Sequence, residues 1–170
     1  NGCLKLGAEL EMYLVDQNGQ VSAKNKQLLQ ALDDEQYQPE LNQYNIELNL
    51  SPVSLNDQPF TTLLNEIKSK TAVLEEIAQQ EKVNIVPIGI LPTLTKRDLN
   101  ADNMTETKRY RCLAEQLYQA RGEDFKININ GEQSLVTDLK DICAEGANTS
   151  FQVHLMVPKL KLKNIFNAAM

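Results

Sequence analysis

The sequence from Gly7 to Asp16, GAELEMYLVD, alternates between apolar and polar residues. Its even-numbered positions from Ala8 to Leu14 are apolar, and Glu9 and Glu11 lie between them. Alternation with a period of two is typical of a β-strand that has one face buried. Both glutamates would then point to the same side of a sheet, where two like charges repel each other. The pair belongs either to a solvated surface or to an acidic site.

Four further segments have strand patterns, and helical patterns occupy most of the sequence between them. The predicted strands are Leu4–Val15, Gln43–Leu50, Val83–Ile90, Phe125–Asn130 and Asn148–Val157. The predicted helices are Asn25–Asp33, Pro59–Lys82, Thr105–Arg121, Gln133–Glu145 and a last helix after Pro158. Because the order is not a regular βαβ repeat and three strands alternate, the pattern predicts an α+β fold with a mostly antiparallel sheet. Helices would pack on the apolar face of this sheet, and its other face would be open.

Two segments predict more specific features. Val83–Ile90 is apolar at nearly every position, which is typical of a central strand that is covered on both faces. Pro87 within it favours a bulge or an edge position instead. Gly89–Thr105 is the longest irregular stretch, and long loops in compact domains are often functional.

The composition is that of an ordinary soluble globular protein. The chain has 170 residues, of which 42% are hydrophobic and 24% charged, and its formal net charge is -6. This length suits one domain. The sequence has no basic run that would bind nucleic acid and no apolar run that would cross a membrane. The cysteines, Cys3, Cys112 and Cys143, are odd in number and widely spaced, which favours a reduced, cytoplasmic protein over a disulfide scaffold.

Sorting the alternating strands by face brings several functional groups together. If the apolar faces share one core, the opposite face carries Glu9, Glu11, Glu47, Gln152 and His154. Carboxylates and an imidazole on one sheet face suit hard divalent cations, which would relieve the repulsion and attract phosphates. The alternatives are ordinary: surface strands often carry glutamate, and a single histidine in a strand is often structural.

Five motifs, in order, resemble those of the glutamate–cysteine ligase family and its carboxylate–amine ligase relatives. GAELEMYLVD is similar to the family's opening G-[IV]-E-x-E-x-x-L-V-D strand, and YNIELNLSP to its x-x-[LV]-E-[IFL]-x-[ST]-P element. PIGILPTL resembles a P-[IM]-G-x-x-P segment, TKRYRCL an R-Y motif, and GANTSFQVHLMVP a T-x-S-[VF]-Q-V-[HN] strand. NIFNAAM is similar to the start of a helix that continues in the family.

The resemblance implies a fold like that of glutamine synthetase and the guanidino kinases, with metals on the inner face of a curved antiparallel sheet. It also implies an ATP- and Mg²⁺-dependent ligase of glutathione biosynthesis. Such an enzyme phosphorylates the side-chain carboxylate of glutamate to an acyl phosphate, and the amine of cysteine then displaces phosphate. The metal ligands that it implies are Glu9, Glu47 and His154, with Glu11 and Glu40 as further candidates. Arg109, Arg111 and Gln152 are the implied substrate-binding residues, although the two arginines also suit a solvated helix face. No side chain is assigned as a covalent catalyst.

Residues 1–170 are therefore expected to form a single domain, the amino-terminal portion of a ligase-like catalytic domain. The sequence lacks an initiator Met and stops within a helical pattern, so we expect a fragment that is inactive alone. An alternative is a non-catalytic ligand-binding or regulatory domain derived from the same fold. A third possibility is ligation of glutamate to a different amine, since the sequence does not define the acceptor.

Overall fold

The computed structural model describes residues 4–56 and 58–170 and contains strands and helices in mixed order. The strands are β1 (Lys5–Val15), β2 (Tyr37–Pro39), β3 (Asn45–Asn49), β4 (Val53–Ser54), β5 (Asn84–Val86), β6 (Phe125–Asn130), β7 (Ser134–Leu139) and β8 (Phe151–Met156). The α-helices are α1 (Asn25–Leu32), α2 (Pro59–Gln80), α3 (Lys108–Arg121), α4 (Cys143–Gly146) and α5 (Leu162–Ala169). Cys3, one of the three cysteines used above, lies outside the described residues, whereas Cys112 and Cys143 are free thiols.

The main sheet is built around β1, and every strand pair in it is antiparallel. On one side of β1 lie β3 and β4, and β2 pairs with the outer edge of β3. β8 pairs with the first half of β1 and β5 with its end. β6 and β7 form a separate hairpin. The predicted α+β fold with a mostly antiparallel sheet is therefore confirmed.

Helices α1 and α2 cover the face of β1 that carries its even-numbered residues. Met12 and Leu14 pack there with Leu28 of α1 and Leu74 of α2, and all four side chains are almost completely buried. The core positions of α2 recur at helical spacing, and Pro59 occupies its first turn, where a missing N–H is tolerated. Burying one such side chain contributes about 2 kcal/mol, so this face holds the sheet and helices together.

The opposite face of β1 is covered at its carboxyl end by a second, smaller apolar cluster. Tyr13 and Val15 pack there with Tyr44 and Leu91, and the rings of Tyr13 and Tyr44 stack with their centroids 5.9 Å apart. Leu91 comes from the segment Gly89–Thr105, which was expected to be functional because of its length. The polar face is thus open at one end only, which corrects the prediction of a wholly open face.

One predicted helix is wrong, and one predicted strand is shorter than expected and lies at an edge, as Pro87 favoured. The helix predicted over Gln133–Glu145 is replaced by β7 and the single-turn α4, because the turn after β6 folds the chain back onto that strand. β-branched residues in β7 favour this pairing. The strand predicted over Val83–Ile90 is only the short β5, which ends before Pro87 and pairs with β1 but with no other described strand.

The apolar face of β8 is exposed, although the alternation predicts that it joins the core. Phe151, Val153 and Leu155 lie in register with core-facing positions of β1, yet their exposed fractions are 52%, 60% and 43%. Helices α1 and α2 pack against β1, β2, β4 and β5 and leave this face of β8 exposed. In the parts of the chain that the structure describes, no helix combines the length and apolar character needed to span a membrane.

Candidate functional site

Three glutamates meet on the open part of the sheet face. The antiparallel register places Glu47 of β3 directly opposite Glu11 of β1, and Glu40 follows the end of β2. All three are half-buried, and each offers a carboxylate oxygen within 4.8 Å of those of the other two. We call Glu11, Glu40 and Glu47 the glutamate cluster. These oxygens alone would give a small, hard cation several ligands at one point.

The pKa of Glu40 reflects the electrostatic repulsion within the cluster. Burial, and then the adjacent Glu47 carboxylate, raise the pKa of Glu40 from 4.5 to about 7. The negative charge of Glu11 acts in the same direction. Near neutral pH, Glu40 therefore binds a proton much more readily than an ordinary glutamate does, and this proton reduces the repulsion within the cluster.

Glu9 and His154 form a pair at the margin of the cluster. His154 of β8 lies opposite Gly7 on β1, and its Nε2 is 3.1 Å from a carboxylate oxygen of Glu9. The histidine side chain is 54% exposed and the glutamate side chain 27%. Both were predicted as metal ligands from the resemblance. In the structure they contact each other.

Glu11 is tied to β8 and to Ser150, the residue immediately before it, by three hydrogen bonds. The backbone N–H of Ser150 donates to one oxygen of Glu11 at 2.8 Å, and the hydroxyl of the same serine donates to the other oxygen at 3.2 Å. Gln152 donates to that second oxygen from Nε2 at 2.8 Å. Gln152, predicted to bind substrate, thus orients a carboxylate of the cluster in this structure.

A cavity of about 560 Å³ opens beside the cluster, between the sheet and α3. Glu9, Glu40 and Glu47 line one side of it, and Arg109 and Tyr110 of α3 line the other. The Tyr110 hydroxyl donates to the backbone oxygen of Pro39 at 3.2 Å, which ties α3 to the segment that carries Glu40. Burial, and secondarily the charge of Glu40, raise the pKa of Tyr110, so this phenol is neutral at physiological pH.

The two predicted arginines are placed differently. Arg109 lines the cavity, and its guanidinium carbon lies 5.8 Å from the centre of the Tyr110 ring. Arg111 is exposed two residues further along α3 and is not among the residues that line the cavity. A helix advances about 200° over two residues, which separates the two side chains.

Several residues at the site have no role in the prediction from the sequence. Asn49, Ser150 and Glu145 each contact a cluster glutamate or line the cavity. Asn49 and Ser150 follow the alternation of their strands and lie on the predicted polar face, so their position was visible in the pattern. The long helix predicted over Gln133–Glu145 does not form, and the sequence pattern gave no indication that Glu145, now in the single turn of α4, lies beside the cavity.

The donor set fits a divalent cation of the Mg²⁺ type. The cluster offers carboxylate oxygens and no sulfur, and Mg²⁺ prefers oxygen ligands. A cation would also take the place of the proton that Glu40 holds, because it neutralises the same repulsion. Glu11, Glu40 and Glu47 are the residues that would hold it.

Comparison with known proteins identifies the family of the chain. Residues 5–140 match the model of glutamate-cysteine ligase family 2 (GCS2). No curated protein and no solved structure matches the chain. The matched range covers β1 to β7 and includes all three glutamates of the cluster. The chain therefore belongs to glutamate-cysteine ligase family 2, a family of ligases.

Proposed function

We propose that this chain contributes to an ATP-dependent ligase that joins the side-chain carboxylate of glutamate to an amine, with cysteine as the expected acceptor. The observation that carries the proposal is the glutamate cluster beside the α3 cavity, in a chain of the glutamate-cysteine ligase family. A site of this kind can hold a metal–nucleotide complex without any nucleophilic side chain. Positioning and electrostatic stabilisation would then account for catalysis.

The proposed reaction has two steps. An oxygen of the glutamate side chain attacks the γ-phosphorus of ATP, ADP leaves, and an acyl phosphate forms. The amine nitrogen then attacks the acyl carbon, phosphate leaves with the former carboxylate oxygen, and the amine loses a proton. Mg²⁺ at the glutamate cluster, with Glu9 and His154 as further candidate ligands, would neutralise phosphate charge during this chemistry.

Arg109 supports the proposal because it supplies positive charge on the opposite wall of the acidic cavity. A guanidinium group can hold a carboxylate or a phosphate through two parallel hydrogen bonds. We propose that Arg109 binds the carboxylate of a substrate or a phosphate oxygen. Arg111 is a weaker candidate for the same role, since its side chain is exposed and is not among the residues that line the cavity.

We further propose that residues 1–170 form one domain, the amino-terminal portion of a catalytic domain, and that the protein acts on small molecules in the cytoplasm as part of glutathione biosynthesis. The alternative remains a non-catalytic domain that binds the metal–nucleotide complex without turnover. The two proposals share the metal site and differ only in whether ATP is consumed.

The experiment that tests the function uses the full-length protein that contains this chain. Titration calorimetry with Mg²⁺ and ATP should give saturable binding, and an assay for phosphate release should show turnover that requires both glutamate and an amine. A panel of amines that includes cysteine would identify the acceptor. Binding without phosphate release from any amine would favour the non-catalytic alternative.

The test variant is Glu47→Gln, and its control is Glu81→Gln. Glu47→Gln replaces a charged carboxylate of the cluster by a neutral amide, and we expect the metal affinity to fall by about 100-fold because an amide oxygen is a much weaker ligand for a divalent cation. Glu81 forms an ion pair with Lys24 and does not belong to the glutamate cluster, so its replacement should leave metal binding unchanged. Normal Mg²⁺–ATP binding by folded Glu47→Gln would refute the ligand assignment.

A further inference from the structure

The glutamates of the cluster accept hydrogen bonds from neutral donors. Glu40 accepts from the backbone N–H of Leu41 at 3.1 Å, and Glu47 accepts from Nδ2 of Asn49 at 2.6 Å. The third glutamate is held by β8, as described above. Within residues 4–56 and 58–170, no lysine or arginine forms an ion pair with any of the three. Neutral donors orient a carboxylate without cancelling its charge, so the cluster keeps its attraction for a cation.

Asn49 is itself held firmly by the neighbouring chain. Its backbone N–H donates to the backbone oxygen of Gln36 at 2.8 Å, and its backbone oxygen accepts from Nε2 of the same glutamine at 2.9 Å. Gln36 also donates to Glu66 of α2 at 2.8 Å. Although burial opposes it, hydrogen bonds from Gln36 and Ser51 lower the pKa of Glu66, so this acceptor is ionised at neutral pH. A continuous series of hydrogen bonds therefore joins α2 to the backbone of Asn49.

Because the backbone of Asn49 is held in place, the hydrogen bond from its side chain also restricts the position of Glu47. Both residues lie on β3 two positions apart, so their side chains project from the same face. In register across the sheet, Asn49 is opposite Glu9 and Glu47 is opposite Glu11. A free glutamate side chain in a half-buried position has several rotamers. The bond from Asn49 selects rotamers in which Glu47 remains beside the other two glutamates.

We infer that Asn49 is a positioning residue of the metal site: its amide holds the Glu47 carboxylate in the orientation that the cation requires. The inference rests on the proposed function, because it assumes that the cluster binds a divalent cation. In this role Asn49 acts only through Glu47 and touches neither the cation nor a substrate. Removing it should weaken metal binding by about tenfold, which is the lower end of the effect of a group that orients a ligand.

The test is a titration of the full-length protein with Mn²⁺, which prefers the same oxygen ligands as Mg²⁺ and is detected by electron paramagnetic resonance. Two variants remove the donor: Asn49→Ala, and Asn49→Leu, which keeps four side-chain heavy atoms branched at Cγ. Asn84→Leu is the matched control, since Asn84 is an exposed asparagine of β5 at the other end of β1. Circular dichroism and denaturant unfolding verify that each variant folds.

A double-mutant cycle separates positioning from a general structural role. If Asn49 acts through Glu47, its replacement should have less than about a twofold effect in a Glu47→Gln background. The tenfold loss should persist in a Glu11→Gln background, because Glu11 is held by β8 instead.

The outcomes also separate this inference from the proposed function. If the wild-type protein binds no Mn²⁺, the proposed function fails and the inference fails with it. If the wild type binds Mn²⁺ and both folded Asn49 variants bind it equally well, only the inference is overturned. A tenfold loss that is unchanged in the Glu47→Gln background would also overturn it, since Asn49 would then act by another route.

Discussion

The two ends of one face of β1 differ completely in character. Glu9 and Glu11 at one end are half-buried, and Glu9 lines the cavity, whereas Tyr13 and Val15 at the other end are buried in an apolar cluster. All four occupy alternate positions of the same strand and project from the same side. The difference comes from what lies above them: the segment with Leu91 covers the tyrosine end but not the glutamate end.

This contrast separates the source of stability from the source of chemistry. The tyrosine end contributes buried apolar area and a hydrogen bond from the Tyr13 hydroxyl to the backbone oxygen of Ala147. That bond also fixes the segment immediately before Ser150, which donates to Glu11. The glutamate end opposes folding in the absence of a cation, because like charges are held close together. A packed cluster at one end of a strand can therefore support a repulsive cluster at the other.

The largest effect on stability is expected from substitutions at the tyrosine end of β1. Tyr13→Ala removes a fully buried ring and its stacking contact with Tyr44, and should reduce the free energy of unfolding by about 4 kcal/mol. Tyr13→Phe keeps the ring and loses only the hydroxyl contact with Ala147, so we expect a loss of about 1 kcal/mol. Urea denaturation measures both values.

Tyr118→Ala is the matched control, because Tyr118 lies on α3 with 48% of its surface exposed. It should change stability by less than about 1 kcal/mol. A Tyr13→Ala variant as stable as this control would contradict the role given to the tyrosine end.

The alternation of β1 predicted the sheet and the side of it that meets the helices, because a half-buried strand leaves a clear pattern of period two. It could not predict the second cluster, since Tyr13 continues the polar series and only a distant segment decides that it is buried. The helix predicted for the residues of β7 was wrong for a related reason. The hairpin turn before them determines that they form a strand, whereas the spacing of their apolar residues suited a helix equally well.

The next largest effect is expected from pH, at the glutamate end. Burial and the Glu47 carboxylate raise the pKa of Glu40 to about 7, against 4.5 in the unfolded chain. The protonated form is therefore favoured by folding, and its contribution to stability is complete below pH 4.5 and is lost as pH rises through 7. Without metal, the wild type should lose up to about 3 kcal/mol relative to Glu40→Gln between these limits.

The measurement is urea unfolding of both proteins from about pH 4 to about pH 8 in the presence of a chelator, within the range where both remain folded. Saturating Mg²⁺ should remove much of the difference, because a bound cation favours the ionised carboxylate. Parallel stability curves for the two proteins across this range would show that Glu40 has an ordinary pKa.

The sequence predicted which glutamates share a face, but not which of them meet. Glu47 lies beside Glu11 because the register of β3 against β1 aligns the two positions. Glu40 joins them from a segment with no pattern of its own, where only the resemblance to the family had placed it. Gln152 also lies on the predicted face, and its bond to Glu11 depends on the pairing of β8 with β1, which the sequence alone did not specify.

The smallest effect is expected at this last contact, where β8 meets the glutamate end. Gln152→Met keeps the length of the side chain but removes one of three hydrogen bonds to Glu11, so stability should fall by about 0.5 kcal/mol at this exposed position. Asn128→Leu, a similar amide replacement in the separate hairpin, is the control. Metal affinity should fall by only a few-fold, because both bonds from Ser150 remain.

A loss as large as that expected for Glu47→Gln would mean that Gln152 contacts the metal or substrate directly, as the resemblance to the family implied. A small loss in metal affinity combined with a large rise in the KM for glutamate would assign Gln152 to substrate, so this variant distinguishes the role seen in the structure from the role inferred from the sequence.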